Sequence, residues 1–285
     1  MENIDQKYQK LKDIIHSYNT LAVAFSGGVD STFLLKVAAD VLQAKTASKT
    51  PENNVVAITA KSISFPEREH KESEDFCEKN DIKQVIVSVD QMKIEGFANN
   101  PPDRCYLCKK VIFSSIIEEA KKLGITTIAE GSNADDTTDY RPGMRAIEEL
   151  KVKSPLKEAG LTKEEIRILS KRLGLPTWSK PSFACLATRF VYGEEITEEK
   201  IKMAGAAEEI LFGSGFSQAR CRVHGDMARI EVPEDEIKKL LEDETRQTIF
   251  KRIKALGFSY VSLDLQGYRT GSMNEILNYD TSPLL

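Results

Sequence analysis

The chain has 285 residues, enough for two domains with sizeable cores, and its 41% hydrophobic and 29% charged residues are ordinary for a soluble globular protein. With 40 Lys and Arg against 44 Asp and Glu the net charge is −4, which argues against a broad basic footprint for nucleic acid. No apolar run approaches the ~20 residues of a membrane span, and the charged N-terminus lacks the apolar core of a signal peptide, so the expected location is the cytoplasm.

The segment "MENIDQKYQKLKDIIHSYN" predicts an amphipathic N-terminal helix. Beyond it the first half alternates short apolar runs with helical patterns, the signature of a parallel sheet covered by helices. "TLAVAF" (20–25) predicts a buried strand. The helix that follows over 31–43 carries Phe33, Leu34, Val37, Ala38 and Val41 at helical spacing. "NVVAITA" (54–60) and "QVIVSVD" (84–90) predict two more strands, separated by the charged helix "PEREHKESEDFCEKN". The stretch 44–54 has loop composition. A helix near 107–123 precedes another strand, "ITTIAEG" (125–131). Thr162 and Glu165 form a capping box that opens a helix over 161–174, and Gly174 stops it.

The composition changes after "LPTWSKPS". We expect one domain over 1–180 and a smaller α+β domain over 181–285. In the second, "TEEKIKMAGAAEEILFGSGF" predicts a helix. "QARCRVHG" and "ARIEVP" predict strands joined at Gly225-Asp226. A helix near 234–256 and a last strand, "YVSLDLQGY", complete it.

"AFSGGVDST" (24–32) is the most informative segment. A strand runs into Ser26-Gly27-Gly28-Val29-Asp30-Ser31, and a helix starts at once. The glycines permit close approach of backbone to a ligand, and the N–H groups at the helix start favour an anion. Asp30 suits such a site when Mg²⁺ lies between it and phosphate, since hard cations take oxygen ligands. The Walker pattern G-x-x-x-x-G-K-[ST] is absent. The segment resembles the pyrophosphate loop of the ATP pyrophosphatases, which cleave ATP between its α and β phosphates and adenylate a substrate.

Further segments narrow the resemblance: "TAKSISFPERE" (59–69), "PPDRCYLCKK", "AEGSNADDTTDYRPG" (129–143), "SPLKEAGLTKEEIR" (154–167), "SFACLATRF" and "DLQGYRTGSMNE" (264–275). Together they are similar to the LarE family of sulfur transferases along nearly the whole chain. That family thiolates pyridinium-3,5-biscarboxylic acid mononucleotide on the route to a nickel-pincer nucleotide. The resemblance implies ATP, Mg²⁺ held by Asp30, an acyl-adenylate and two carboxylate-to-thiocarboxylate conversions. It places Ala60, Ser62, Glu130, Gly131 and Asn133 with the loop residues at the nucleotide, and Arg189, Arg220 and Arg222 at the substrate; Arg220 and Arg222, on one face of a strand with Cys221 on the other, suit a solvated basic face paired with nearby acids equally well on general grounds. In the stretch 129–143 Glu130, Asn133, Asp135, Asp136, Asp139 and Arg141 cluster; Glu130, Asp135 and Asp136 suit a solvated loop and helix cap equally well.

The chain has five cysteines. Many members of the family give up the sulfur of one cysteine, matching Cys185, and turn over once. This chain adds Cys105 and Cys108, and a branch of the family with three such cysteines implies a [4Fe–4S] cluster whose open iron carries hydrosulfide. Zinc and a thiol relay between Cys105 and Cys108 stand as alternatives. Cys77 and Cys221 are expected to be packing residues. His16, His70 and His224 lack metal-binding context, and Trp178, before the domain change, suits packing. Expected partners are a small nucleotide-linked substrate, a sulfur donor that the sequence does not identify, and further copies of the chain in a homo-oligomer. A tRNA thiolase of the same superfamily and sacrificial use of Cys185 are the alternative functions, and a nucleotide sensor without catalysis is the third.

Overall fold

The computed structural model describes residues 3–43, 54–137, 142–181, 183–269 and 271–273. The chain divides into two compact units, one of residues 1–94 and 103–183 and the other of 95–102 and 184–285.

The first unit is an α/β sandwich. Helix α1 (Ile4–His16) opens on a capping box between Asn3 and Gln6. Strand β1 (Leu21–Ala24) leads into helix α2 (Val29–Gln43). There follow β2 (Val55–Lys61), α3 (Glu67–Lys79) and β3 (Lys83–Ser88). Helix α4 (Arg104–Lys122), β4 (Ile128–Ala129), α5 (Gly143–Glu149), α6 (Pro155–Glu158) and α7 (Lys163–Arg172) complete the unit. The four strands pair in parallel in the order β3-β2-β1-β4. Leu21, Val23, Val55 and Ala57 face a core with α1, α2, α3 and α7. Their neighbours Ala22, Val56 and Ile58 face a core with Phe113, Ile116 and Ala120 of α4. Both faces are covered, which is why β1 and β2 are runs of apolar residues without alternation.

The chain builds β1, β2 and β3 outwards in one direction and then returns to place β4 on the other side of β1. Such a reversal opens a crevice at the carboxyl ends of the strands, where ligands of open α/β sheets bind. The turns after β1 and β4 border it.

The second unit holds helix α8 (Glu198–Gly213), strands β5 (Arg220–His224) and β6 (Met227–Glu231), helices α9 (Ile237–Leu241) and α10 (Asp243–Lys254), and strand β7 (Tyr260–Leu263). β5 and β6 are antiparallel, whereas β7 adds in parallel. The segment 95–102 is stitched to 190–196: Gly193 N–H donates to the Asn100 carbonyl (2.9 Å), Ile196 N–H to that of Ala98 (2.8 Å), and the Asn100 side chain to Val191 O (2.6 Å). Phe97 is buried there.

Three expectations shift. α4 starts at Arg104, directly behind Pro101-Pro102-Asp103 and three residues earlier than expected, so Cys105 is helical together with Cys108. The helix expected over 234–256 breaks at Glu242, whose backbone is extended; the acidic run 242–244 suits a helix start, not a helix middle. β4 pairs over two residues only, because Glu130 N–H turns to the Lys153 carbonyl (2.9 Å). The expected loop over 44–54 lies, except for Asn54, outside the described residues, as do Asp139 and Arg141.

Candidate active site

Phe25 N–H still bonds to Ile58 O (2.9 Å), and the chain then leaves the sheet through Ser26, Gly27 and Gly28. Gly27 has φ +67°, and a Cβ there would meet Ser73 of α3 at 3.4 Å, so a side chain would be strained as well as crowded. Ser31, in the first turn of α2, ties the loop from inside. Its Oγ accepts from Ser26 N–H (3.3 Å), sits 3.1 Å from Ser26 Oγ and donates to Gly28 O (3.3 Å). Val29 packs into the core. The loop after β4 comes in from the side: a Cβ on Gly131 would lie 3.0 Å from Ser31 N. Glycine is what lets the two loops meet.

Asp30 is the charged centre of this region. One carboxylate oxygen, Oδ2, takes the Lys163 ammonium; the other, Oδ1, is buried and has no hydrogen-bond partner among the described residues. Burial pushes the Asp30 carboxyl above its usual range, and Lys163 only partly opposes it. A buried carboxylate oxygen without a partner is costly and is relieved by a cation. That geometry fits Mg²⁺, which takes one or two protein carboxylates and fills its other positions with water and phosphate.

Glu130 is buried, with Ser154 Oγ on Oε1 (2.6 Å) and Ser132 Oγ on Oε2 (2.7 Å). Asn133 Oδ1 accepts from Asp135 N–H (2.9 Å), its own N–H donates to Asp136 Oδ2 (3.0 Å), and Asp135 Oδ2 caps Lys163 N–H (2.8 Å). The acidic cluster is therefore a built turn that anchors the start of α7 and the lysine on it. Ala60 and Ser62 flank the end of β2, half-buried.

Lys163 and Lys180 were not singled out by the sequence reading. Lys180 binds Glu69 (2.6 Å) and Glu72 of α3 and also donates to Gly27 O (3.3 Å), clamping the loop to that helix. Lys163 lies in a quoted motif, where only its capping box stood out. Lys180 had no local signal.

Cys105 and Cys108 lie three apart on α4, on one face. Cys105 is half-buried; Cys108 is buried and accepts from Gln91 Nε2 (3.0 Å). Arg104 lies 3.9 Å from the Cys105 sulfur. Cys185, in the second unit, is exposed, and it precedes a short 3₁₀ turn, Leu186–Arg189. Among the described residues no three of His, Cys, Asp and Glu are grouped to hold a metal ion. Cys77 and Cys221 are buried, and burial pushes the Cys77 thiol up to about 12 and raises that of Cys221 as well. Both are packing residues.

In the second unit Arg189, Arg220 and Arg222 are all buried. Arg189 is bidentate on Glu208, with Nη2 2.9 Å from Oε2, and reaches the Cys185 carbonyl (3.4 Å). Arg222 binds Glu231 (2.9 Å), Thr188 O (3.0 Å) and Ser272 Oγ (3.1 Å). Arg220 donates to Ala219 O (2.8 Å) and lies over the Tyr268 ring. Burial, then repulsion from Arg189, lowers its pKa to about 10. Arg220 and Arg222 share one face of β5, with Cys221 and Val223 on the other. Arg229 also binds Glu231 (3.1 Å) and Asp264 (3.4 Å), so Arg189, Arg220, Arg222 and Arg229 face Glu208, Glu231 and Asp264 with a positive surplus. Glu208, 19 residues from Arg189, carried no local signal; Glu231 pairs with Arg222 of the neighbouring strand and with Arg229 two residues away on its own (3.1 Å), an alternation that the sequence reading passed over.

No family model matches the chain. An uncharacterized protein of Synechocystis sp. is 38% identical over 274 residues, 96% of this chain and 99% of its own length. Pyridinium-3,5-bisthiocarboxylic acid mononucleotide synthase of Lactiplantibacillus plantarum is 35% identical over 277 residues, 97% of each chain. The tRNA-specific 2-thiouridylase MnmA of Leptospira biflexa is 27% identical over 191 residues, covering 56% of this chain and 50% of its own.

Proposed function

The chain belongs to the LarE family of ATP-dependent sulfur transferases, and from that premise we propose that it adenylates and thiolates the carboxylates of pyridinium-3,5-biscarboxylic acid mononucleotide. The observation that carries the substrate is the extent of the match. The synthase from L. plantarum aligns over 97% of both chains, second unit included, whereas the thiouridylase aligns over half of its own length. A net charge of −4 also counts against tRNA.

In the first step a substrate carboxylate oxygen attacks the α-phosphorus of ATP. The α–β bridge breaks, leaving an acyl-adenylate and pyrophosphate. The backbone N–H groups at the start of α2, with Ser26, Gly27, Gly28, Val29 and Ser31, would receive the departing phosphates. Ala60 and Ser62 would border the adenosine, and Glu130, Gly131 and Asn133 would shape the opposite wall. Asp30 would hold Mg²⁺, which when bound offsets the phosphate charge. In the second step a sulfur nucleophile adds to the acyl carbon and AMP leaves, giving the thiocarboxylate.

For the sulfur we propose Cys185, the exposed cysteine, as the residue nearest the transfer. Cys105, Cys108 and Cys185 would supply the three thiolates of a [4Fe–4S] cluster, which when bound serves as the sulfur carrier. Ligand type, ligand number and the shared face on α4 support this. Sacrifice of the Cys185 sulfur is the second reading, favoured by its exposure. Arg220, in its surplus of positive charge, would meet an anionic group of the substrate, with Arg189 and Arg222 holding the surrounding carboxylates. The two domains, 1–180 and 181–285, would divide these tasks between nucleotide and substrate. The protein would work in the cytoplasm as a homo-oligomer; no helix among the described residues is long and apolar enough to cross a membrane.

The test is an anaerobic assay with the pyridinium mononucleotide, ATP, Mg²⁺ and sulfide. Pyrophosphate release together with exchange of oxygen for sulfur in the product is the expected result. Release with tRNA and not with the pyridinium compound would overturn the substrate assignment. Iron and sulfide analysis, with the mass of the Cys185 peptide after turnover, separates the two sulfur readings: iron-loaded protein with intact Cys185, or colourless protein with dehydroalanine there. In the first case Cys105→Ala should lose iron while still releasing pyrophosphate.

A further inference from the structure

A polar chain crosses the carboxyl end of the first unit's sheet. Ser64, on the turn after β2, donates to Gln91 Oε1 through both its N–H (3.2 Å) and its hydroxyl (2.6 Å). Gln91 opens the 3₁₀ turn Gln91–Lys93 that follows β3, and its Nε2 donates to the sulfur of Cys108 on α4 (3.0 Å). All three residues are buried. The orientation of the amide is fixed by chemistry: the Ser64 backbone N–H is only a donor, so the atom it meets must be the oxygen, and the nitrogen must face the sulfur. A buried amide held at one end by two donors turns only if those bonds break. Ser64 lies two residues beyond Ser62, past the end of β2, where the crevice opens.

We propose that Gln91 is a positioning residue that links the turn after β2 to the sulfur of Cys108, so that a nucleotide settling on that turn changes the setting of the thiol. The linkage rests on the nucleotide reading of Ala60 and Ser62 given above. It implies reciprocity: whatever occupies the Cys108 sulfur alters nucleotide affinity by the same factor. In a sulfur transferase this would make the sulfur side respond to the filling of the nucleotide side before any substrate has reacted.

The experiment uses the full chain, stripped of metal with a chelator, and follows alkylation of Cys108 by N-ethylmaleimide at constant pH. Labelling is read peptide by peptide by mass spectrometry, with and without an ATP analogue blocked at the α–β bridge. The analogue should change the Cys108 rate about fivefold, the scale of one hydrogen bond. Ser64→Ala breaks the upstream half of the chain. Gln91→Glu keeps the acceptor for Ser64 and removes the donor to the sulfur. In both variants the nucleotide effect should fall below about twofold, while the analogue still binds and the thermal midpoint stays near that of the wild type. An undiminished effect in Ser64→Ala would overturn the proposal, as would binding of the analogue to the wild type with no change at Cys108. Failure of the analogue to bind at all would refute the nucleotide reading, and the linkage would fall with it. Where Gln91→Glu fails to fold, Ser64→Ala decides alone.

Discussion

The loop after β1 and the arginine cluster on β5 are both rich in charge, and they are built on opposite terms. At the loop, Asp30 has one oxygen on Lys163 and one buried oxygen without a partner among the described residues, and burial has raised its pKa. In the cluster, Arg189 and Arg222 each hold a buried carboxylate through more than one bond. The first region leaves a buried oxygen for something it would bind, as proposed above; the second meets most of its own charge.

Substitutions should separate the two. Glu208→Ala leaves the Arg189 guanidinium buried without its carboxylate and removes the acceptor of Cys221 N–H; it should cost about 3–5 kcal/mol of stability, read by denaturant unfolding. A loss under about 1 kcal/mol would mean the cluster is not the self-sufficient structure described. Asp30→Ala should do the reverse, lowering pyrophosphate release by about 10²–10³-fold with no loss of stability. Gly131→Ala lies between these. Its new methyl meets Ser31 N at 3.0 Å, so the loops after β1 and β4 must part, at about 1–3 kcal/mol, seen as a lower thermal midpoint and weaker binding of the ATP analogue.

The smallest effect concerns pH. The Asp30 carboxyl is raised on folding, so the folded state binds its proton more tightly than the unfolded chain, and ionisation subtracts stability as pH rises through the carboxylate range. Asp30→Asn should thus raise the thermal midpoint slightly at neutral pH, and the gain should vanish on acidification below the ordinary carboxylate pKa. A destabilised Asp30→Asn at neutral pH would show that the Lys163 pair outweighs the burial cost.

What the sequence revealed was local. The turn Ser26–Ser31 announces itself because strand, glycines, acid and helix start lie within a dozen residues, and the capping box at Thr162 spans four. Strands β1 and β2 showed as apolar runs because helices cover both faces. What stayed hidden depends on distant residues. Lys180 reaches Gly27 across 153 positions of chain, and Gln91 reaches Cys108 across 17. Nothing in "RCRVH" reveals that both its arginines will be buried, Arg222 against Glu231 of the neighbouring strand. The break at Glu242 escaped notice because a continuous helical pattern runs through it, and only the acidic run hinted at a new start.

The excursion of residues 95–102 has a consequence for how the molecule is made. Ala98 and Asn100 leave the ribosome well before Val191, Gly193 and Ile196, the residues that will bind them. An emerging polypeptide must therefore carry the segment 95–102 without these bonds while about a third of the chain is made, and a gene truncated near codon 181 would yield a fragment that never forms them. Such a fragment should be rescued by chaperones or precipitate, whereas the uncut polypeptide closes its own gap last.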